Sequence, residues 1–234
     1  MGHQARLRSE SFEDVVYRRG HPVVWQQAMK CTCWSEDSGQ PDYNCDVCDY
    51  NGYIYLPPIK SRYVLVLSLI WQRDFTPVGE HRLGDAVATV PYYKKFRDED
   101  NRFQKEFNEL YHIGEWDLIV LQDSEFRSQE LLRRGEAIYK RSPDTLRNKH
   151  AVKVKNVFTV ESGEIINFEE GIDFKLEGNE INWFSGCGPA EGQRYSVVYF
   201  HNPVYVVHTS LPQSRDYDDQ HMPKKAVLRY MDVL

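Results

Sequence analysis

Residues 25–55 read WQQAMKCTCWSEDSGQPDYNCDVCDYNGYIY, with two cysteine pairs set into them, Cys31-x-Cys33 and Cys45-x-x-Cys48. Two thiol pairs one short loop apart are what a tetrahedral four-sulfur site needs, because each tight turn presents both of its sulfurs on one side. The flanks read as strands. Pro22 to Met29 leads in, and Asn51-Gly52 leads out into Tyr53-Ile54-Tyr55-Leu56, which Pro57-Pro58 ends. The expectation is a zinc-ribbon-like four-cysteine hairpin. A segment this short and polar cannot build a core of its own, whereas structural zinc supplies an apparent ~10–16 kcal/mol to small fingers. The spacing leaves other readings open: a [4Fe–4S] cluster, two disulfides in an oxidising medium, or cysteines without a ligand. Four protein thiolates leave no open coordination position, so a catalytic zinc is disfavoured. Cys187, in Ser185-Gly186-Cys187-Gly188-Pro189, reads as a loop thiol outside the ligand set.

Working outward, Ser9 to Arg19 reads as a helix, with Ser11 and Asp14 in a capping-box arrangement and Gly20 as the C-terminal stop. Phe12, Val15 and Val16 are expected on one face, as a docking surface or as cover for the protein's own sheet. Further strands are expected at Tyr63 to Trp71, Ala86 to Val90, Trp116 to Gln122 and Ala137 to Lys140, with glycines at the corners. The polar stretch Lys94 to Glu109 reads as an amphipathic helix or an exposed loop. A second β block opens at Ala151 and runs through Glu164 to Phe168, Asp173 to Leu176, Glu180 to Phe184 and Arg194 to Phe200. Glu177-Gly178-Asn179 supplies a hairpin turn. Beyond Gln213 the pattern fades and an extended arm is expected. The fold class is therefore mainly β: small β-barrel or sandwich modules, an N-terminal helix and the four-cysteine knob. The expected divisions are 1–58 (helix and knob), 59–150 (barrel-like), 151–211 (meander or sandwich) and 212–234 (arm).

Composition bounds the function. The chain has 234 residues, 41% of them hydrophobic and 13% aromatic, and a formal charge of −6; its mean hydropathy is −0.62. A generic nucleic-acid binder is usually strongly basic. The longest apolar run, Val64 to Trp71, falls well short of the roughly 20 residues that span a bilayer. The N-terminus shows no apolar signal core, so synthesis in a reducing cytoplasm is expected, where cysteines are free or metal-bound. Gly-x-Ser-x-Gly, a P-loop and His-Glu-x-x-His are all absent. No nucleophile–base pairing is legible, and a non-enzymatic protein is expected. His201 and His208 read as surface histidines at strand ends. One charge feature stands out: residues 127–155 hold nine basic residues against three acidic ones. They would suit phosphate contact, a solvated loop, or an acidic protein neighbour.

Two stretches together resemble a known group. The first is Trp25 to Tyr55, with Cys-Thr-Cys-Trp, Gly39-Gln40-Pro41-Asp42, Cys-Asp-Val-Cys and Gly52-Tyr53-Ile54-Tyr55. The second carries Gly171-x-Asp173-Phe174-x-Leu176-x-Gly178-Asn179-x-Ile181-x-Trp183, then Pro189-x-x-Gly192-x-x-Tyr195-x-Val197-x-Tyr199, then Pro203-x-Tyr205-Val206-Val207. This is similar to minor virion proteins of tailed bacteriophages from the neck or tail apparatus, over these two stretches. Such proteins usually continue the second knuckle as Cys-x-Gly-x-Gly, of which Asp49-Tyr50-Asn51-Gly52 keeps only the last glycine. The resemblance implies a virion structural protein made in the host cytoplasm. It would form a homo-oligomeric ring at the head–tail connection or adjacent tail, with portal, neck or tail proteins as partners and no membrane. The alternative is a zinc-ribbon nucleic-acid-binding protein that uses residues 127–155.

Overall fold

The computed structural model describes residues 9–48, 51–68, 85–137, 141–210, 216–217 and 220–231. It is mainly β, and the chain divides into two units: residues 1–122 with 204–234, and residues 123–203.

The first unit opens with helix α1 (Ser9–Arg19), which Gly20 ends by donating its N–H to the Val16 carbonyl at 2.6 Å. Strands β1 (His21–Gln26), β2 (Ala28–Lys30), β3 (Tyr53–Tyr55), β4 (Ile59–Ser68), β5 (Ala86–Val90), β6 (Tyr93–Arg97), β7 (Phe103–Phe107) and β8 (Leu118–Leu121) follow. The second unit holds β9 (Phe126–Arg133), β10 (Ala151–Glu161), β11 (Glu164–Phe168), β12 (Phe174–Glu177), β13 (Glu180–Trp183) and β14 (Arg194–His201). The chain then returns to the first unit as β15 (Val204–Ser210), β16 (Asp216–Tyr217), β17 (Gln220–His221) and β18 (Lys224–Tyr230).

Six antiparallel strands close a barrel in the order β1-β4-β5-β18-β15-β8. Alternate positions point inward, as a period of two requires. They are Val23 and Trp25, Ala86, Ala88 and Val90, Ile119 and Leu121, Tyr205 and Val207, and Ala226 and Leu228. Small residues meet where β5 pairs with β18, with Ala88 opposite Ala226, and Ala86 leaves space beside Leu228. That pairing leaves the barrel interior room for Trp25 and Tyr205. Closure also removes the open edges that a flat sheet of this size would expose.

Several expectations are corrected here. The second unit is inserted between β8 and β15, which pair directly as Val204–Val120 and Tyr205–Ile119. Residues 123–150 therefore belong with the second β block, and no boundary falls at 150. The expected arm of 212–234 is, over Lys224–Tyr230, a barrel strand with Ala226 and Leu228 fully buried. Lys94 to Glu109 is neither helix nor loop. It is chiefly the β6–β7 hairpin, joined across by Lys94–Glu106 at 2.6 Å, and hidden from pattern reading because its aromatics Tyr93, Phe103 and Phe107 are interleaved with lysine and arginine on one face. The helix covers its own unit: Val16 is buried, Tyr17 meets the Phe103 ring edge-on at 5.6 Å, and Asp14 pairs with Lys95 at 2.6 Å. Val15 faces outward, and the buried polar Glu13 turns to Lys105 at 2.9 Å. Ser11 lies inside the first turn and not at a cap. Residues 69–71 of the expected Tyr63 to Trp71 strand and 138–140 of the Ala137 to Lys140 strand lie outside the described residues.

In the second unit the sheet order is β11-β10-β14-β9, all antiparallel. One face packs Leu132, Val157, Tyr195, Val197 and Tyr199 against Phe174 and Ile181 of the β12–β13 hairpin and against Leu146. Gly178 makes the expected hairpin turn at φ +63°, a backbone region that favours glycine.

Candidate metal centre

The knob stands on the short β2–β3 ladder, where Ala28 faces Tyr55, Met29 faces Ile54 and Lys30 faces Tyr53. Above it, the Cys31 N–H donates to the Gly52 carbonyl at 2.8 Å and ties the two ends of the loop together. A first turn brings Trp34 N–H to the Cys31 carbonyl at 3.1 Å, and a second brings Asn51 N–H to the Cys48 carbonyl at 3.0 Å. Between them the loop folds back through the Trp34–Pro41 bridge and the Asp42 N–H bond to the Cys33 carbonyl.

This scaffold brings Cys31, Cys33, Cys45 and Cys48 together, with all four Sγ atoms within 4.8 Å of one another. The Cys31–Cys45 and Cys33–Cys48 separations are 3.8 and 3.5 Å, and all four thiols are free. A regular tetrahedron of sulfurs 2.3 Å from a central zinc has edges of about 3.8 Å. The described residues thus hold four thiols close enough to bind one metal ion. Cys31 and Cys48 are buried; Cys33 and Cys45 are half-exposed.

The electrostatics fit a cation. Cys45 is lowered to about 7, chiefly because the Cys48 and Val47 amides point their N–H groups at its sulfur. Cys33 is pushed up to about 12, first by lost hydration and then by the three neighbouring thiols, although the Asp42 amide acts in the other direction. Cys48 is also raised, mainly by lost hydration, with the Gly52 amide opposing. Four packed sulfurs cannot all become thiolates without a compensating positive charge. A bound metal ion would supply that charge and displace the protons.

Two anchors join the knob to the barrel. Trp34 meets Tyr53 edge-on at 5.6 Å, and Tyr53 stacks on Trp116 at 4.9 Å with the rings 18° apart. Gly52, at φ +74°, lies so close beneath Trp34 that an added Cβ would come within 2.6 Å of the indole. The second anchor is Asp117, 2% exposed. Its carboxylate accepts hydrogen bonds from Trp25 Nε1, the Ala28 amide and the Gly114 amide, each at 2.8 Å. The four thiols brought together are the ones expected from the spacing. The role of Asp117 was not legible, because its partners Trp25 and Ala28 are far away in sequence and no local pattern marks it.

The remaining sequence candidates behave differently. His201 is buried, not a surface histidine; its Nε2 lies 3.0 Å from the Ser128 hydroxyl and its Nδ1 3.2 Å from the Asn202 carbonyl. Cys187 stays half-exposed in its loop. Within residues 127–155, Arg133 pairs with Glu136, Arg141 with Glu130 and Lys153 with Glu125. Arg134 donates to the carbonyls of Cys187 and Pro189. At least four of the eight described cations in this stretch are therefore engaged within the protein. No helix among the described residues is long and apolar enough to cross a membrane. No protein-family model matches the chain, and no curated protein matches it.

Proposed function

We propose that this chain is a non-enzymatic structural subunit of a tailed-phage virion, assembling as a homo-oligomeric ring at the head–tail neck or the adjacent tail, with zinc in its four-cysteine centre. The observation that carries this reading is the knob itself. Its thiols lie together around one point, and the residues beside them, Trp34, Gly52, Tyr53 and Trp116, tie the knob to the barrel. A fully protein-ligated ion offers no position for a reacting group and acts as a cross-link. Zinc suits the sulfur spacing, because a cubane cluster interposes several iron and sulfide atoms and needs its thiolates spread wider than 4.8 Å. The resemblance of residues 25–55 and 171–207 to phage neck and tail proteins supplies the particle. An inserted β unit and a rigid protrusion are the kind of surfaces that bind ring neighbours, portal or tail proteins.

The second reading, a zinc-ribbon nucleic-acid-binding protein, has one observation in its favour: Arg127, Arg147, Lys149 and Lys155 are exposed on the second unit. The knob argues against it, since residues 31–48 carry Glu36, Asp37, Asp42 and Asp46 and no basic residue.

Mass spectrometry of purified particles tests the assembly reading, with elemental analysis of the reduced protein for the metal. The expected result is a stoichiometric virion component carrying about one zinc per chain. Complete particles lacking the chain would overturn the assembly reading, and a brown preparation with stoichiometric iron would overturn zinc.

A further inference from the structure

The second unit covers one face of its sheet; on the other, Val198 is buried and Phe158 and Phe200 are half-buried, while the positions around them stay open to solvent. By the register of β9, β14, β10 and β11, the open face carries Leu131, Val160 and Ile165, all exposed, together with the exposed Arg127, Arg133 and Arg194. Leu131 stands opposite Ser196, Arg133 opposite Arg194, and Val160 opposite Ile165. No carboxylate occupies a position on this face in the four strands. An antiparallel sheet with one solvated face normally alternates apolar-in with polar-out. Exposed aliphatics ringed by arginines depart from that pattern, as they do at protein interfaces.

The knob tip has the complementary composition. Tyr43 and Val47 are 71% and 74% exposed, the most exposed large apolar side chains among the described residues. Around them in the sequence stand Glu36, Asp37, Asp42 and Asp46, all exposed. Hydrogen bonds hold the tip in place: Tyr43 Oη donates to Gln40 Oε1 at 3.1 Å, and the Asn44 amide donates to Asp42 Oδ1 at 2.9 Å. An ordered tip costs less entropy to dock than a floppy loop does.

We propose that the open face of the second unit receives the knob tip of a second copy of this chain. Tyr43 and Val47 lie against Leu131, Val160 and Ile165, and the tip carboxylates face Arg127 and Arg194. The contact joins two different surfaces, so it is head-to-tail and propagates around a ring. It rests on the ring-assembly reading and adds to it which surfaces meet. It also gives the metal a task in assembly: without the thiolate cross-link, the tip loses its fixed shape.

Two charge-reversed variants test it. One carries Asp37→Lys and Asp46→Lys on the tip; the other carries Arg127→Glu and Arg194→Glu on the sheet. Each is checked for metal content and circular dichroism, and association is measured by sedimentation velocity on the full chain. Wild-type protein is expected to self-associate, and each variant alone to associate roughly a hundredfold more weakly, since opposed like charges cost several kcal/mol. An equimolar mixture is expected to recover association, because every contact between the two variants is again between opposite charges. A wild-type oligomer that both variants retain would overturn this contact and leave the ring reading standing. Wild-type protein that stays monomeric would overturn both. Sheet reversal that abolishes salt-sensitive binding to a DNA duplex, while leaving association intact, would assign the face to nucleic acid and overturn the proposal.

Discussion

Replacing Asp117 by alanine is the most incisive test of how the knob is mounted. The carboxylate accepts three N–H donors at 2.8 Å, from the Trp25 indole and the Ala28 and Gly114 amides. Its removal strands those donors where little water reaches, at ~1–3 kcal/mol each. Relief from burying a charged group offsets part of this, leaving a net loss of about 3–5 kcal/mol. That is a large share of the ~5–15 kcal/mol typical of a folded domain. Asp117→Asn has the same shape but only one acceptor oxygen. With that oxygen facing Trp25 and Gly114, its amide NH2 meets the Ala28 N–H, at a cost of about 1–3 kcal/mol. Urea unfolding followed by tryptophan fluorescence should therefore rank wild type above asparagine and asparagine above alanine. Metal release should also become faster in the alanine variant, because Ala28 opens the strand that leads into Cys31. An alanine variant within about 1 kcal/mol of wild type would refute the reasoning.

Three further outcomes follow from the geometry. Cys33→Ser should lose its metal by elemental analysis and gain protease sensitivity between Cys31 and Cys48; full retention would show that the ligand set is wrong. Burial, then the hydrogen bonds to Asp144 and Glu130, raises Tyr195 and Tyr199 above the ordinary tyrosine range. A raised folded-state pKa gives stability that is complete below the unfolded value of about 10 and is lost as pH climbs beyond it. The second unit should accordingly destabilise in alkali, and Tyr195→Phe should flatten that dependence in denaturant titrations at pH 8 to 11 (roughly the window set by the unfolded tyrosine). Ending the chain before Lys224 should abolish cooperative unfolding of the first unit in calorimetry, because it removes a barrel strand and exposes the flanks of β5 and β15.

The helix Ser9–Arg19, the strand Glu164–Phe168, the Gly178 turn and the cluster of four cysteines were legible in the sequence. Each is specified by signals within a few residues: a glycine stop, alternation between turn residues, or thiol spacing. What lies outside that reach was decided by tertiary structure. Strand β18 has a charged, weakly patterned sequence neighbourhood, and it becomes core only because β5 and β15 offer it two edges. Strands β6 and β7 interleave Tyr93, Phe103 and Phe107 with lysine and arginine on one face, so only their pairing with each other marks them as strands. Val15 is exposed instead of sharing the buried face of Val16, and Glu13 is buried where Lys105 of β7 meets its carboxylate. His201 is buried because β9 brings Ser128 to it across the sheet. Local sequence sets backbone preference and turn position. Burial and strand pairing depend on which distant edge or face arrives, and that arrangement exists only once the barrel has closed and the inserted sheet has formed.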